Sequence, residues 1–379
     1  MKIVIAIDSL KGSLSSMEAA NAIKKGIENA KLQADVEIKP LADGGEGTVD
    51  ALVEGMNGKR RTVQVCGPVK QKINATYGVL EQSNTAIMEM AQAAGITLVS
   101  GEDKNPLITT TYGVGEMIKE AINEGCRNFV IGIGGSATND GGVGMLQALG
   151  FKFYDENNEL VGLGGQVLNQ IRKIDVSEKL EKLDECTFKI ACDVNNPLYG
   201  LNGAAHIYSP QKGATPSIVE ELDKGLMNFA QVVKRDLGKD LADVPGVGAA
   251  GGLGFGFLAF LNAKLESGIK IILDETKLED AVKDADIVVT GEGRLDNQTA
   301  MGKAPIGVAK LAKKYGAKVI AISGCITDDA VKCNEEGIDA FFAIVNKAMS
   351  LEEAVDKSTA EKNMIQTATQ IFNLVRVLS

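Results

Sequence analysis

The sequence predicts an α/β protein built from two α/β domains. One is Rossmann-like, doubly wound and discontinuous in sequence. The other is an inserted mixed-sheet domain, with the active site expected in the cleft between them. Three observations predict this. Strands and helices alternate regularly at both ends of the chain. Between residues 61 and 94 the texture changes to short alternating strands joined by tight turns. The central stretch, from Phe129 through Gly132, Gly134 and Gly135 to Asp140 and Gly144, reads as strand, glycine loop and helix, in the style of the two ends. The expected partition is 1–60 with 95–150 and 280–379 for the Rossmann-like domain, and 61–94 with 151–279 for the insert. A chain of 379 residues has room for about two or three domains.

The elements follow in order. Lys2–Ile7 is a short apolar strand, and helical periodicity runs from Ser16 to Asn29 with Ser15 or Ser16 as N-cap. Val36–Lys39 is a second strand, and a helix follows the glycines of 44–47 through Val53. Thr62–Val65, Ile73–Leu80 and Ala86–Met90 alternate like antiparallel strands. A helix over Val114–Asn123 leads into the central strand, and Val143–Leu149 is the helix after its loop. Phe151–Asp155, Phe188–Cys192 and Ala205–Tyr208 read as strands, and Ile218–Asp236 as a helix. Gly246–Gly256 is a second glycine-rich approach to a helix. Ile269–Leu273 is expected to be a strand and Leu278–Lys283 a helix. From Ile287–Thr290 the βα alternation is regular: helix Ile306–Lys314, strand Lys318–Ile322, helix Asp329–Glu336, strand Phe341–Val345 and a long final helix.

Composition narrows the function classes. The chain is 45% hydrophobic and 24% charged, as a globular protein is. A net charge of −10 disfavours nucleic acid and acidic membrane as partners. No apolar run is long enough to span a bilayer, and the chain opens on a strand rather than a leader, so a cytoplasmic protein is expected. No two of the six cysteines stand at CxxC spacing, which predicts reduced, mostly buried thiols. His206 is the one histidine. That excludes a His-cluster metal site, and its strand-like context lacks a nucleophile elbow.

The chemistry lies in the loops at strand ends, where open α/β sheets place their ligands. Phosphoryl transfer needs phosphate donors, carboxylates for Mg²⁺ and cations for the transferred group. Glycines let backbone N–H groups approach an anion closely, and Ser136, Thr138 and Asn139 add side-chain donors. Gly134, Gly135, Ser136, Thr138, Asn139, Gly251 and Gly252 are therefore the expected ATP contacts, though Gly251 and Gly252 could equally serve close helix packing. Asp140 and Glu292 are the expected Mg²⁺ ligands. Asp8, Ser9, Asp43, Glu46 and Arg294 are the expected acceptor contacts. Lys11, Asp193, Arg294 and Asp296 are the expected catalytic set. Arg294 alone among the arginines sits inside a glycine-rich loop, and its planar fork suits a carboxylate or phosphate. No Walker-type GxxxxGK[ST] occurs.

Seven stretches carry a family resemblance: 8–12, 42–48, 132–142, 192–198, 209–214, 248–254 and 290–296. Each is a weak motif alone. In this order along one chain they resemble the bacterial glycerate kinases over their full length. The resemblance implies ATP-dependent phosphorylation of D-glycerate, typically at the 2-hydroxyl, with 3-phosphoglycerate left open as product. It also implies two α/β domains with the site between them, and cytoplasmic use of glycerate. Glycerate and ATP are the expected partners, with homo-oligomerisation allowed. The alternative is an NAD(P)-dependent oxidoreductase acting on a small hydroxy acid. Gly132 to Ala137 formally fits GxGxxA after a strand, and Asp155 ends a later strand at ribose-contact distance. Against it, Asp140 and two glycines fall where the dinucleotide helix should begin, and the other polar glycine loops would have no role.

Overall fold

The computed structural model describes residues 1–42 and 47–379. Asp43 and Glu46, both expected at the acceptor site, lie outside the described residues. The chain divides into two units, Met1–Asn57 with Ile269–Ser379, and Gly58–Gly268.

The first unit is a five-stranded parallel sheet. Its spatial order is Asp35–Ile38, Lys2–Ile5, Ile287–Thr290, Lys318–Ser323, Ala340–Ala343. Numbered along this unit alone, that order is 2-1-3-4-5, the doubly wound arrangement with its switch point between the first and third strands. Ile287–Thr290 is buried at every position, as a strand covered on both faces must be. One layer sets Ile3, Ile5 and Val289 against Ile23 and Ile27 of helix Ser16–Asn29 and Met364 and Phe372 of helix Lys357–Leu378. The two helices lie so close that a Cβ on Gly26 would stand 2.5 Å from the Ala368 Cβ. Helix Ser16–Asn29 begins as its sequence predicts: Ser15 and Glu18 form a reciprocal capping box.

The second unit is a six-stranded mixed sheet. Its order is Lys264–Glu266, Thr187–Ala191, Asn128–Gly132, Thr85–Glu89, Lys72–Leu80, Lys59–Cys66. The first four strands run parallel and the last two join antiparallel. Its core includes Phe129, Phe188, Phe229, Phe255 and Phe257, with Phe129 and Phe188 stacked at 4.8 Å.

Five expectations need correction. The segment 95–150 is not grouped with the terminal segments, because Asn128–Gly132 pairs with Thr85–Glu89 and Thr187–Ala191. Periodicity identifies a βα unit but not the sheet it enters. Thr85–Glu89 is buried throughout and pairs parallel on one side, so its apolar run is not that of a purely antiparallel block. Ala204–Tyr208 is a short helix, so His206 is helical. Gly268–Glu275 is a helix too. Burial at 268, 271, 272 and 276 follows a helical period, and the Thr276 hydroxyl donates to the Ile272 carbonyl at 2.7 Å. Short apolar runs do not distinguish helix from strand. The six cysteines are free, but only Cys126 and Cys333 are buried, and Cys325 is exposed.

Candidate active site

In the first unit, the loops after the two switch-point strands touch. The Asp8 N–H donates to the Gly291 carbonyl at 2.9 Å. A Cβ on Gly293 would stand 3.5 Å from the Lys11 nitrogen. Gly291 has φ +153°, and a Cβ there would overlap the Ile322 carbonyl, so glycine is required. Asp8 is nearly buried and its Oδ1 accepts the Ser9 N–H at 2.6 Å, while Ser9 is half-buried and Lys11 exposed.

The Gly291–Thr299 loop is held by its own carboxylates. Asp296 caps helix Asn297–Ala300, its Oδ1 accepting the N–H groups of Gln298 at 2.9 Å and Thr299 at 3.1 Å. Its Oδ2 accepts from Arg294 Nε at 3.0 Å. Burial raises the Asp296 carboxyl, but the Thr299 N–H, Lys303, Arg294 and the Gln298 N–H outweigh it and hold the group below the usual carboxylate range. Such a carboxylate is a poor proton acceptor and a good anchor. The Arg294 side chain is 61% exposed, so its terminal nitrogens face solvent with Nε already oriented. Glu292 Oε1 accepts the Thr299 hydroxyl at 2.6 Å, and its Oε2 lies 3.9 Å from Lys303 Nζ.

In the second unit, the loop between strand Asn128–Gly132 and helix Val143–Ala148 has an outer and an inner half. The outer half is Gly134 and Gly135, both exposed, and Ser136, half-buried. Its flank is pinned where Ile96 N–H donates to the Gly135 carbonyl and Ala137 N–H to the Ala94 carbonyl, each at 2.8 Å. The N–H groups of Gly134, Gly135 and Ser136 themselves donate to nothing among the described residues. Unspent donors on an exposed turn are the groups that anion sites use.

The inner half is different. Thr138, Asn139 and Asp140 are fully buried. Asp140 accepts from Thr111 N–H at 2.8 Å, Thr111 Oγ1 at 2.9 Å, Gly142 N–H at 3.1 Å and Gly144 N–H at 3.3 Å. Burial pushes its carboxyl above the usual range, and these donors offset only part of that rise. With both oxygens occupied by the protein, Asp140 does not fit the expected Mg²⁺ role. It is a knot tying the loop to Thr110 and Thr111. The Thr138 hydroxyl and both polar atoms of the Asn139 side chain have no partner, yet no exposed surface reaches them.

Gly251 and Gly252 pack backbone against backbone. They are buried, with φ +69° and +87°. A Cβ on Gly251 would overlap the Thr138 carbonyl, and one on Gly252 would stand 3.0 Å from the Gly141 Cα. The Gly141 N–H donates to the Gly251 carbonyl at 3.0 Å. These glycines allow two loop backbones to touch, which is the packing role the sequence also allowed. Asp193 is exposed, and its Oδ1 accepts the Gly268 N–H at 3.0 Å. Asp155 closes its own turn through the Asn157 and Glu159 N–H groups.

Sequence reasoning missed Lys212. It is 1% exposed, and its Nζ donates to Ser136 Oγ at 2.7 Å and to the Thr138 carbonyl at 2.6 Å. Its place between Ser209 and Gly213, in one of the resembling stretches, was the available signal.

The first unit presents an oriented guanidinium at its switch point and the second an exposed turn with unspent N–H donors, each the kind of place where an α/β sheet binds a small ligand. The likeness to known proteins is more specific. The chain belongs to the glycerate kinase family, whose model matches residues 3–376. It is 49% identical to the glycerate 2-kinase of Escherichia coli K12 over 93% of each chain. It is 48% identical to a glycerate kinase of Haemophilus influenzae, covering 100% of this chain and 99% of that one. A crystal structure assigned as glycerate kinase 2, from Salmonella typhimurium LT2, superposes with a TM-score of 0.92 at 44% identity, covering 100% of this chain and 98% of that one. The chain is a kinase, and the oxidoreductase alternative falls with that finding. The helix begins only at Val143, too far beyond the Gly132–Ala137 fingerprint for the dinucleotide geometry.

Proposed function

We propose that the chain transfers the terminal phosphoryl group of ATP to D-glycerate, at the 2-hydroxyl, giving 2-phosphoglycerate. The observation that carries this reading is the exposed Gly134–Ser136 turn with its three unspent N–H donors, which suits a polyphosphate. On the first unit, Arg294 binds the glycerate carboxylate or the transferring phosphoryl group, and Asp296 keeps its Nε aimed. Asp8, Ser9 and Lys11 line the adjoining loop and complete the acceptor site. The name of the Escherichia coli relative supports the 2-hydroxyl as acceptor.

Mg²⁺ brought in on ATP needs only one or two protein carboxylates, and neutralises charge on the phosphates when bound. No group of three acidic, cysteine or histidine side chains capable of caging a metal exists among the described residues, which fits that mode. Asp140, spent on its own loop, is not one of those carboxylates. No helix is long and apolar enough to cross a membrane among the described residues, and a cytoplasmic setting accords with that.

The test is ADP release with D-glycerate, with NADH absorbance followed in parallel. Enolase added alone consumes 2-phosphoglycerate but not 3-phosphoglycerate, so it reads the acceptor hydroxyl. A chain that turns over nicotinamide, or binds ATP without turnover, would overturn the reading. The turn has its own test. A Cβ on Gly134 meets nothing within 4 Å, so the backbone accepts Gly134→Val without a clash at Cβ. It should raise the KM for ATP about tenfold, the loss of roughly one charge-assisted hydrogen bond, and leave the KM for glycerate nearly unchanged. The reverse pattern would make this loop the acceptor site.

A further inference from the structure

Lys212 is a buried amine whose direct partners are uncharged. Its direct partners among the described residues include no carboxylate, and Asp140 acts on it only from farther off. Burying an unpaired ammonium is costly, and such a group persists where something repays the cost. Its Nζ spends two donors, on Ser136 Oγ and the Thr138 carbonyl. Because Ser136 Oγ accepts from Lys212, its own proton must point elsewhere. Ser136 is half-buried and follows the exposed Gly134 and Gly135, so that proton is available to a ligand on the turn.

We propose that Lys212 is a positioning residue of the phosphate site: through Ser136 Oγ it aims the hydroxyl proton at a nucleotide phosphate bound on Gly134–Ser136, and that phosphate supplies the charge that the buried ammonium lacks. This rests on the reading that the turn holds ATP.

The groups facing Lys212 are few. From its own side Gly213 abuts the Lys104 backbone, with the Lys104 Cγ 3.6 Å from where a Cβ would be. From the glycine loop come the uncharged Ser136 and Thr138, and the carboxyl of Asp140 acts from behind them. Burial pushes the ammonium down, Asp140 pulls it part of the way back, and the two together leave it at about 7. A phosphate nearby favours the charged form and raises it again. At pH 8 the free protein therefore holds Lys212 largely neutral, and nucleotide binding takes up a proton.

The experiment is calorimetric titration of the full chain with a non-hydrolysable ATP analogue at pH 8, in two buffers of different ionisation enthalpy. It compares wild type with Lys212→Met, Lys212→Arg and Ser136→Ala. Wild type should take up protons on binding. Lys212→Met should lose the uptake and bind at least about tenfold more weakly, Lys212→Arg should recover part of the affinity without the uptake, and Ser136→Ala should bind about threefold more weakly. The KM for glycerate should stay within about threefold throughout. A folded Lys212→Met that binds the analogue as wild type does, or whose loss falls on glycerate, overturns the proposal. If Lys212→Met does not fold, Ser136→Ala decides: wild-type affinity there overturns it. Silence of the Lys212 and Ser136 variants while Gly134→Val weakens ATP refutes this inference alone. Silence of all three refutes the location of the phosphates as well.

Discussion

Replacing Arg294 by alanine should lower kcat/KM for glycerate by roughly 30-fold or more, with little change in the KM for ATP. Removing one partner of a desolvated charge pair costs about 2–5 kcal/mol. The side chain is 61% exposed without substrate, so the lower end applies, and about 2 kcal/mol is about 30-fold. Arg294→Lys should recover only part of the loss, because Lys lacks the planar fork and the Nε that Asp296 orients. Steady-state kinetics with glycerate as varied substrate reads the effect. Near wild-type efficiency in a folded Arg294→Ala would move the role to Lys11 or Lys303.

Asp140→Ala should cause the largest loss of stability of any change in the glycine loop. It strands the N–H groups of Thr111, Gly142 and Gly144 and two threonine hydroxyls in a fully buried space. Each unsatisfied buried donor costs about 1–3 kcal/mol, and partial relaxation leaves a total of roughly 3–5 kcal/mol. That is a large share of a domain's typical margin of about 5–15 kcal/mol. Asp140→Asn keeps the shape but sets an NH₂ against N–H donors, so it should also destabilise. The urea midpoint checks both. Lost activity with an unchanged midpoint in Asp140→Asn would return Asp140 to the metal ligands.

These two residues show how much of the site was legible. Arg294 stands out in the sequence because an arginine within a glycine loop at a strand end has few structural reasons to be there. The doubly wound sheet was legible for a similar reason, since apolar strands and amphipathic helices alternate at its ends. Asp140 shows the limit. A carboxylate beside glycines reads alike whether it faces a cation or ties its own loop, and only the positions of Thr110 and Thr111, some thirty residues earlier, decide. Gly251 and Gly252 are ambiguous in the same way, because glycine permits close approach of a ligand or of another backbone. Lys212 escaped because a lysine in a short polar turn ordinarily reaches solvent. The sheet that Asn128–Gly132 joins is set by its register with Thr85–Glu89 and Thr187–Ala191, which local pattern does not encode.

The strand order of the first unit has a consequence for how the chain is made. Lys2–Ile5 and Asp35–Ile38 emerge from the ribosome early, but the partner on the other side of Lys2–Ile5 is Ile287–Thr290. All of Gly58–Gly268 is synthesised in between. At about 5–20 residues per second, the first two strands wait roughly ten to fifty seconds with an open, apolar edge, while the intervening unit has every strand of its own sheet in hand. The N-terminal strands are thus the vulnerable part of the nascent chain, and completion of their sheet is a late event. A chain stopped before Ile287 should yield a protease-resistant core from Gly58–Gly268 with Met1–Asn57 digested; equal protection of both would show that the early strands find cover without their central partner.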